Sequence, residues 1–163
     1  MKTARIIAAA ALLASAWAVS AKPVPAPASS AAPSPAQLVM LRQSGMDMSA
    51  TTLNLIKGGS ANGMPLKSLG FAANGLAKWA QAMPALFADG TRPVPSRARA
   101  EVWTNKADFA AKSAAFSAAT KALAAAIAAE DQTAFASALA STGAACKGCH
   151  DTYQAPPAAK PAG

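Results

Sequence analysis

The chain contains very little cysteine or histidine, the side chains that bind soft metals. Its 163 residues include two cysteines and one histidine. A structural zinc site usually needs four ligands, mostly cysteine or histidine, so these three side chains are too few to complete one. The sequence also offers no nucleophile with a neighbouring base, no acid–base pair and no recognisable substrate pocket. We therefore expect a protein that is not an enzyme.

Long apolar runs are absent except at the N-terminus. Residues 6–19 form one such run after Lys2 and Arg5, and residues 19–21 read VSA, a small-residue cleavage site. The run is short for a membrane span and a proline-rich stretch follows it, so residues 1–21 are predicted to be a secretory signal peptide. An uncleaved N-terminal anchor is the alternative. We expect export to the periplasm and no membrane span in the mature form.

Acidic residues are also scarce. Seven Asp and Glu residues against 15 Lys and Arg residues give a formal net charge of +8. Such a surface can attract acidic partners or steer them electrostatically. Because the basic residues are scattered and the chain is predicted to be exported, nucleic acid is not expected as a partner.

Two segments rich in proline and alanine flank the part of the chain that can fold. Residues 22–35 (KPVPAPASSAAPSP) are predicted to be a linker and residues 155–163 (APPAAKPAG) a disordered tail, because neither has apolar periodicity. Residues 36–154 are therefore the predicted folded domain.

The predicted domain contains four helical stretches and no convincing strand. The first, residues 36–57, is predicted to end at Gly58-Gly59; the third covers residues 103–129, and Asp131 is the predicted N-cap of the fourth. In the second, apolar residues recur at alternating steps of three and four, as in an amphipathic helix. Short connections make sequential helices antiparallel, which predicts an all-α, up-down four-helix bundle. The apolar positions of the second stretch are Leu66, Leu69, Ala73, Leu76, Ala80, Met83 and Phe87.

Near the C-terminus both cysteines and the histidine fall within five residues, in CKGCH. Cys146, Cys149 and His150 are three and four residues apart, so on a helix they lie on one side. The CxxCH spacing is typical of c-type haem attachment, in which both thiols bond to the haem vinyl groups and the histidine is the proximal iron ligand. The motif predicts one covalent haem c beside the C-terminal helix.

Three other interpretations of this motif compete with haem attachment. A zinc site lacks its fourth ligand. A thioredoxin-like redox pair is expected at a helix start in a βαβ unit, whereas this motif lies late in an all-α chain. A disulfide would close so short a loop that it would constrain little of the unfolded chain. Haem attachment uses all three residues and agrees with the predicted export.

Four motifs occur in order along the chain: LRQSGM at residues 41–46, MPALFADGT at 83–91, EVW at 101–103 and CKGCHDTY at 146–153. Together they resemble the class II c-type cytochromes, cytochrome c′ and its low-spin c-556 relatives. The resemblance covers residues 36–153. It implies a four-helix bundle with one haem, and a possible homodimer formed through the first two helices.

The resemblance also implies that the side chain facing the iron opposite the histidine decides the function. In this family an arginine is followed four residues later by that side chain, and here Arg42 is followed by Met46. Met46 has three interpretations: an axial iron ligand, an apolar lid over a five-coordinate iron, or an ordinary core residue. Met48 points about 200° away from Met46 on an ideal helix and is a poor substitute ligand.

Further haem contacts are implied at Arg42, Gln43, Arg97 and Ala98. Arg42 is expected to pair with a haem propionate; a solvated surface arginine is the alternative. Relatives commonly carry a basic residue four positions after the proximal histidine, and this chain departs from them with Gln154, which removes a nearby positive charge.

Two functions are consistent with these expectations. The first is one-electron transfer between periplasmic redox partners through a monohaem c-type cytochrome. The alternative is the binding of NO or CO, two diatomic gases, at a five-coordinate haem. Both functions require Cys146, Cys149 and His150, and they differ at Met46.

Overall fold

The computed structural model describes residues 32–157. The predicted signal peptide at residues 1–21, most of the predicted linker and residues 158–163 of the predicted tail lie outside the described residues. Those three predictions therefore stay predictions.

Five α-helices and three short 3-10 segments make up the described chain, which contains no strand. Four of the helices, α1, α2, α4 and α5, form the predicted up-down antiparallel four-helix bundle. Between residues 32 and 157 no helix is long and apolar enough to cross a bilayer. The helices are α1 (Pro35–Ala61), α2 (Gly70–Ala82), α3 (Glu101–Thr104), α4 (Lys106–Ala128) and α5 (Gln132–Tyr153), and the 3-10 segments are Leu66–Leu69, Met83–Phe87 and Asp89–Thr91.

Side-chain caps determine where α1 and α5 begin. Ser34 caps α1: its hydroxyl accepts from the Gln37 backbone N–H, and the Gln37 side chain accepts in return from the Ser34 N–H. This reciprocal pair is a capping box, and Pro35 follows it at a position where no N–H is needed. The prediction that Asp131 caps the last helix is confirmed, because its carboxylate accepts from the Ala134 N–H.

The predicted end of the first helix is wrong. Helix α1 continues through Gly58 and Gly59 to Ala61, and the chain turns at Gly63, which has φ +79°. Glycine adopts this left-handed conformation without a steric cost, so Gly63 is the residue that lets the helix stop. Gly59 has a packing role instead, because a Cβ there would come within 2.9 Å of the Met64 sulfur.

One end of the bundle is a closed apolar core. It combines the C-terminal half of α1, the start of α2, the end of α4 and the start of α5, as the antiparallel order requires. Alanine at Ala73, Ala126 and Ala138 lets the helices approach closely, and larger aliphatic side chains fill the remaining space. The larger buried members are Ile56, Leu66, Leu69, Leu123, Ile127 and Phe135.

The opposite end is built from aromatic and sulfur-containing side chains and encloses a cavity. Phe109 contacts Phe87 and Tyr153 edge to face, with ring centroids 5.0 and 5.2 Å apart. The Trp103 indole N–H donates to the Phe87 carbonyl, which fixes the chain between α2 and α3 over this end. All candidate site residues lie at this end.

Candidate functional site

The CKGCH motif lies on the last turns of α5, which is an uninterrupted helix through Tyr153. Cys146, Cys149 and His150 are each half-buried and line the cavity end of the bundle. The structure thus brings the three predicted residues to one side of the helix, as their spacing requires.

The space beside the motif consists of two adjoining lobes. The larger lobe, about 360 Å³, lies toward the loop before α3, and the smaller, about 280 Å³, lies between α1, α2, α4 and α5. Four side chains line both lobes and mark where the lobes meet: Met46, Met83, Cys149 and His150. The larger lobe alone is in the range of pockets that bury a whole organic ligand.

Burial raises the pKa of the two thiols in the motif and lowers the pKa of its imidazole. Burial raises the pKa of the Cys146 and Cys149 thiols, and for Cys149 the nearby Lys112 charge opposes part of that rise. The pKa of His150 is lowered, first by burial and then by the Arg97 charge, with Asp151 acting in the opposite sense. Burial and Arg97 therefore favour the neutral imidazole, which is the form that can bind a metal.

The arrangement disfavours the competing interpretations of the motif. The two thiols are not joined in a disulfide. Within residues 32–157 no three His, Cys, Asp or Glu side chains are arranged to hold a metal ion among them. The three side chains of the motif line the wall of a cavity, an arrangement that suits a large cofactor.

Met46, on α1, lies in the wall shared by the two lobes. His150, on α5, lies in the same wall. Met48 is 69% exposed and lines neither lobe, in agreement with the prediction that it is a poor substitute. Met83, the second methionine in the shared wall, was predicted only as an apolar position of the second helix. Helical periodicity identifies its buried face but not what that face borders.

Arg42 is 3% exposed, which excludes the solvated surface alternative. Its guanidinium donates to the Leu86 carbonyl at 3.3 Å, to Thr91 Oγ1 at 2.9 Å and to Ser96 Oγ at 2.8 Å. It also lies over the Phe87 ring, 4.7 Å from the centroid. All these partners are neutral. Arg42 is therefore a buried cation without an anionic partner, and it lies on the wall of the larger lobe.

The environment of Arg42 provides a test of whether an anionic cofactor fits. Burial lowers the pKa of this guanidinium, and neither of the two ion pairs within residues 32–157 involves it. A buried charge is costly unless an opposite charge compensates it. A cofactor with carboxylates at one edge would supply that charge, so the residues present fit a haem.

The remaining predicted contacts also line the larger lobe. Gln43 reaches it from α1, whereas Arg97 and Ala98 reach it from the loop before α3. Gln154, at the end of α5, lines the same lobe opposite that loop. The structure therefore brings all eight predicted site residues to one cavity. Sequence reasoning missed Ser96 and Lys112, because no motif distinguishes them from ordinary polar positions. Tyr153 was identified only as the last residue of CKGCHDTY, without a role in the site.

Comparison with known families places the described domain within one of them. A family model described as cytochrome C′ matches residues 37–154. A curated cytochrome c′ from Pararhodospirillum photometricum is 31% identical over 83 residues, which are 50% of this chain and 66% of that relative. The match thus spans slightly less than two thirds of the relative's own length.

Solved cytochrome c′ structures have the same fold. The structure from Thermochromatium tepidum has a TM-score of 0.72 and 34% identity, covering 77% of this chain and 100% of its own. A cytochrome c′ with an unusual ligand-controlled dimer dissociation has a TM-score of 0.71 and 30% identity over 77% of this chain and all of its own. A ferrous variant from Alcaligenes xylosoxidans with bound NO has a TM-score of 0.69 and 27% identity, covering 76% of this chain and 97% of its own.

Proposed function

The chain belongs to the cytochrome c′ family, and from that premise we propose that it is a periplasmic monohaem cytochrome that transfers single electrons between redox partners. The cofactor of this family is one covalently bound c-type haem. In the proposed site, Cys146 and Cys149 carry the thioether bonds and His150 is the proximal iron ligand. When bound, the haem supplies an iron that exchanges one electron.

The observation that carries this proposal is the cavity wall shared by His150 and Met46. That wall contains a half-buried imidazole whose neutral form is favoured and the half-buried Met46 side chain from α1. Histidine and methionine together are the ligand pair of low-spin electron carriers and raise the reduction potential of the iron. We therefore propose that Met46 is the second axial ligand.

Four further residues are proposed to hold the edge of the cofactor. Arg42 is already fixed by three hydrogen bonds and lacks only an anionic partner, which makes it suited to a propionate. Gln43, Arg97 and Ala98 line the same lobe and complete the proposed binding surface. Because a planar guanidinium binds carboxylates through paired hydrogen bonds, a lysine at position 42 would not be equivalent.

A second candidate function is the binding of NO or CO at a five-coordinate haem. The Alcaligenes xylosoxidans structure with bound NO favours this candidate. In that case Met46 would be an apolar lid that a small gas displaces. The two functions therefore differ only in whether the Met46 sulfur bonds to the iron.

Optical spectra of the purified haem protein distinguish these two functions. For electron transfer we expect a low-spin ferric spectrum that becomes high-spin in Met46→Ala. Met48→Ala is the matched control, because Met48 lies on the same helix outside the cavity, and its spectrum should stay that of the parent. A parent spectrum that is already high-spin would refute Met46 ligation and favour gas binding.

Covalent attachment is tested on a denaturing gel stained for haem. We expect the stain to remain with the wild-type chain after boiling. The Cys146→Ala/Cys149→Ala variant should lose it, whereas Met46→Ala should keep it. Haem that leaves the boiled wild-type chain would refute thioether attachment.

We also propose a homodimer through the outer face of α1 and α2. Leu41, Met48 and Leu55 recur every seven residues along α1 and are exposed, and Phe71 on α2, which is 95% exposed, lines one groove with Met48. One similar cytochrome c′ is a dimer whose dissociation a ligand controls. An apolar stripe of this kind is typical of helix pairing between subunits.

Sedimentation equilibrium tests the homodimer. Met48→Glu places a charge in the exposed stripe, and we expect it to give a monomer at concentrations where the wild type is a dimer. Ala114→Glu, on the exposed side of α4, is the matched control and should sediment like the wild type. A monomeric wild type would exclude the dimer.

A further inference from the structure

The loop before α3 is tied to the end of α5 by a short pairing of extended backbone. The Ala155 N–H donates to the Arg97 carbonyl at 2.7 Å, and the Arg99 N–H donates to the Tyr153 carbonyl at 2.9 Å. Ala98 and Gln154 face each other in an isolated antiparallel bridge. This pairing begins three residues after His150, so it fixes the loop beside the proposed proximal ligand.

The Arg97 side chain is held by the same pairing. Its Nε donates to the Ala155 carbonyl at 2.8 Å, which anchors the guanidinium across the end of α5. Arg97 lines the larger lobe together with His150. Arg99, two residues further on, does not line either lobe.

Helix α5 itself brings no uncompensated cation to this side of the cavity. Gln154 is neutral, and the Lys147 ammonium lies 2.5 Å from the carboxylate of Asp151 on the exposed surface. Two cations from other parts of the chain therefore lie on this side: Arg97, held by the backbone pairing, and Lys112 of α4, which lines the smaller lobe with Cys149 and His150.

We infer that Arg97 tunes the haem iron from the His150 side, shifting the equilibrium between the ferric and ferrous states toward the ferrous state. This inference rests on the proposed function. Uptake of one electron from a reduced partner lowers the positive charge of the site by one and breaks no bond in the chain. A fixed cation nearby favours the state with less positive charge. Because Arg97 is exposed, salt screens part of its effect.

Potentiometric titration of the haem-loaded protein tests this role. In Arg97→Gln we expect the ferrous-to-ferric ratio at a given potential to fall about threefold to tenfold, which lowers the midpoint by about 30–60 mV because tenfold corresponds to 59 mV for one electron. Arg99→Gln is the matched control. It removes the same charge two residues away, and its shift should be less than a third as large.

Two further variants separate the charge of Arg97 from a structural role. Arg97→Lys keeps the charge and loses the planar guanidinium, so its midpoint should stay near that of the wild type. In Arg97→Gln/Gln154→Arg the cation moves to the opposite side of the bridge, and the midpoint should recover at least half of the loss. The Arg97→Gln shift should also shrink when salt is raised from 0.01 to about 1 M.

Three outcomes would overturn the inference. The first is an Arg97→Gln shift no larger than that of Arg99→Gln. The second is a double variant that recovers nothing, and the third is a lower melting temperature in Arg97→Gln with an unchanged midpoint. A wild-type chain without attached haem would instead refute the proposed function, and the denaturing gel detects that case separately.

Discussion

The two ends of the bundle use the same four helices in different ways. At the closed end, alanine and branched aliphatic side chains fill the space between helices, and Ile56, Leu123 and Ile127 are fully buried. At the cavity end, methionine, cysteine and aromatic side chains surround two lobes that the polypeptide itself does not fill. The closed end is a complete protein core, whereas the cavity end becomes one only around a cofactor.

This difference separates the residues that specify the fold from those that specify the function. Packing at native density leaves no room for a cofactor, so the closed end can stabilise the bundle but cannot host chemistry. The cavity end leaves apolar contacts unmade and a buried cation without an opposite charge, and both are costs that a bound cofactor would offset. The closed end therefore stabilises the bundle, and the cavity end is the part that can accommodate a cofactor.

Truncation of one buried side chain at each end should give the largest difference in stability between the two ends. In haem-free protein, Leu123→Ala should cost about 2–5 kcal/mol, because a fully buried leucine leaves a cavity that its neighbours cannot fill. Met83→Ala should cost less than about 2 kcal/mol, since the Met83 side chain already borders both lobes. Urea unfolding of the two variants in a Cys146→Ala/Cys149→Ala background measures both values.

The same two variants, measured with haem attached, provide the control. With haem present, the cost of Met83→Ala should rise toward that of Leu123→Ala, because its neighbours then include the cofactor. The Leu123→Ala cost should stay the same. Equal costs for the two variants in haem-free protein would contradict the division into a closed end and a cavity end.

The closed end could largely be predicted from the sequence, because helical periodicity reports which face of a helix is buried. Leu66, Leu69 and Ala73 were all predicted apolar positions, and all are buried at this end. Periodicity does not show whether a buried face meets another side chain or an empty space. Met83 continues the same pattern and was predicted correctly as buried, yet its place in the cavity wall depends on α5, more than sixty residues away.

Short-range motifs were sufficient to place the proposed attachment residues but not to predict their surroundings. The spacing in CKGCH predicted that Cys146, Cys149 and His150 share one side of a helix, because that geometry depends only on local turns. The partners of Arg42 lie in the loop between α2 and α3, more than forty residues from it. Loop backbone geometry has no simple sequence period, so these contacts were not predictable. Gly58-Gly59 failed as a stop signal for a related reason, since Gly59 accommodates packing and Gly63 makes the turn.

Glycine substitutions test the packing of the cavity end, with a smaller expected effect on stability. At the cavity end α1 and α2 make a close contact where the Trp79 ring lies against Gly45, and a Cβ at Gly45 would clash with that ring. Gly45→Ala should therefore destabilise the protein by about 1–3 kcal/mol despite the better helix propensity of alanine. Gly75→Ala on α2 is the matched control, because nothing lies within 4 Å of its Cβ position, and it should be neutral or stabilise by up to about 1 kcal/mol.

Thermal unfolding of the two glycine variants gives this measurement. A stabilised Gly45→Ala would show that α1 and α2 can separate at the cavity end without loss, and that the contact with Trp79 does not fix their spacing. The same variant should also shift the haem spectrum, since Met46 is the next residue on α1. Gly75→Ala should leave the spectrum unchanged.

The smallest effect concerns one hydrogen bond at the cavity end. The Tyr153 hydroxyl donates to the Asp108 carboxylate at 2.6 Å, and burial together with that carboxylate raises the pKa of Tyr153 to about 12. A raised pKa favours the protonated phenol in the folded state. The contribution of this hydrogen bond to stability is therefore fully present below pH 10, near the pKa of an unfolded tyrosine, and is lost as the pH rises toward 12.

Tyr153→Phe should be less stable than the wild type at pH 8, and the difference in stability should disappear as the pH rises from 10 toward 12. The wild type contains a single tyrosine, so its tyrosinate absorbance reports Tyr153 alone, and a midpoint near pH 10 would contradict the prediction.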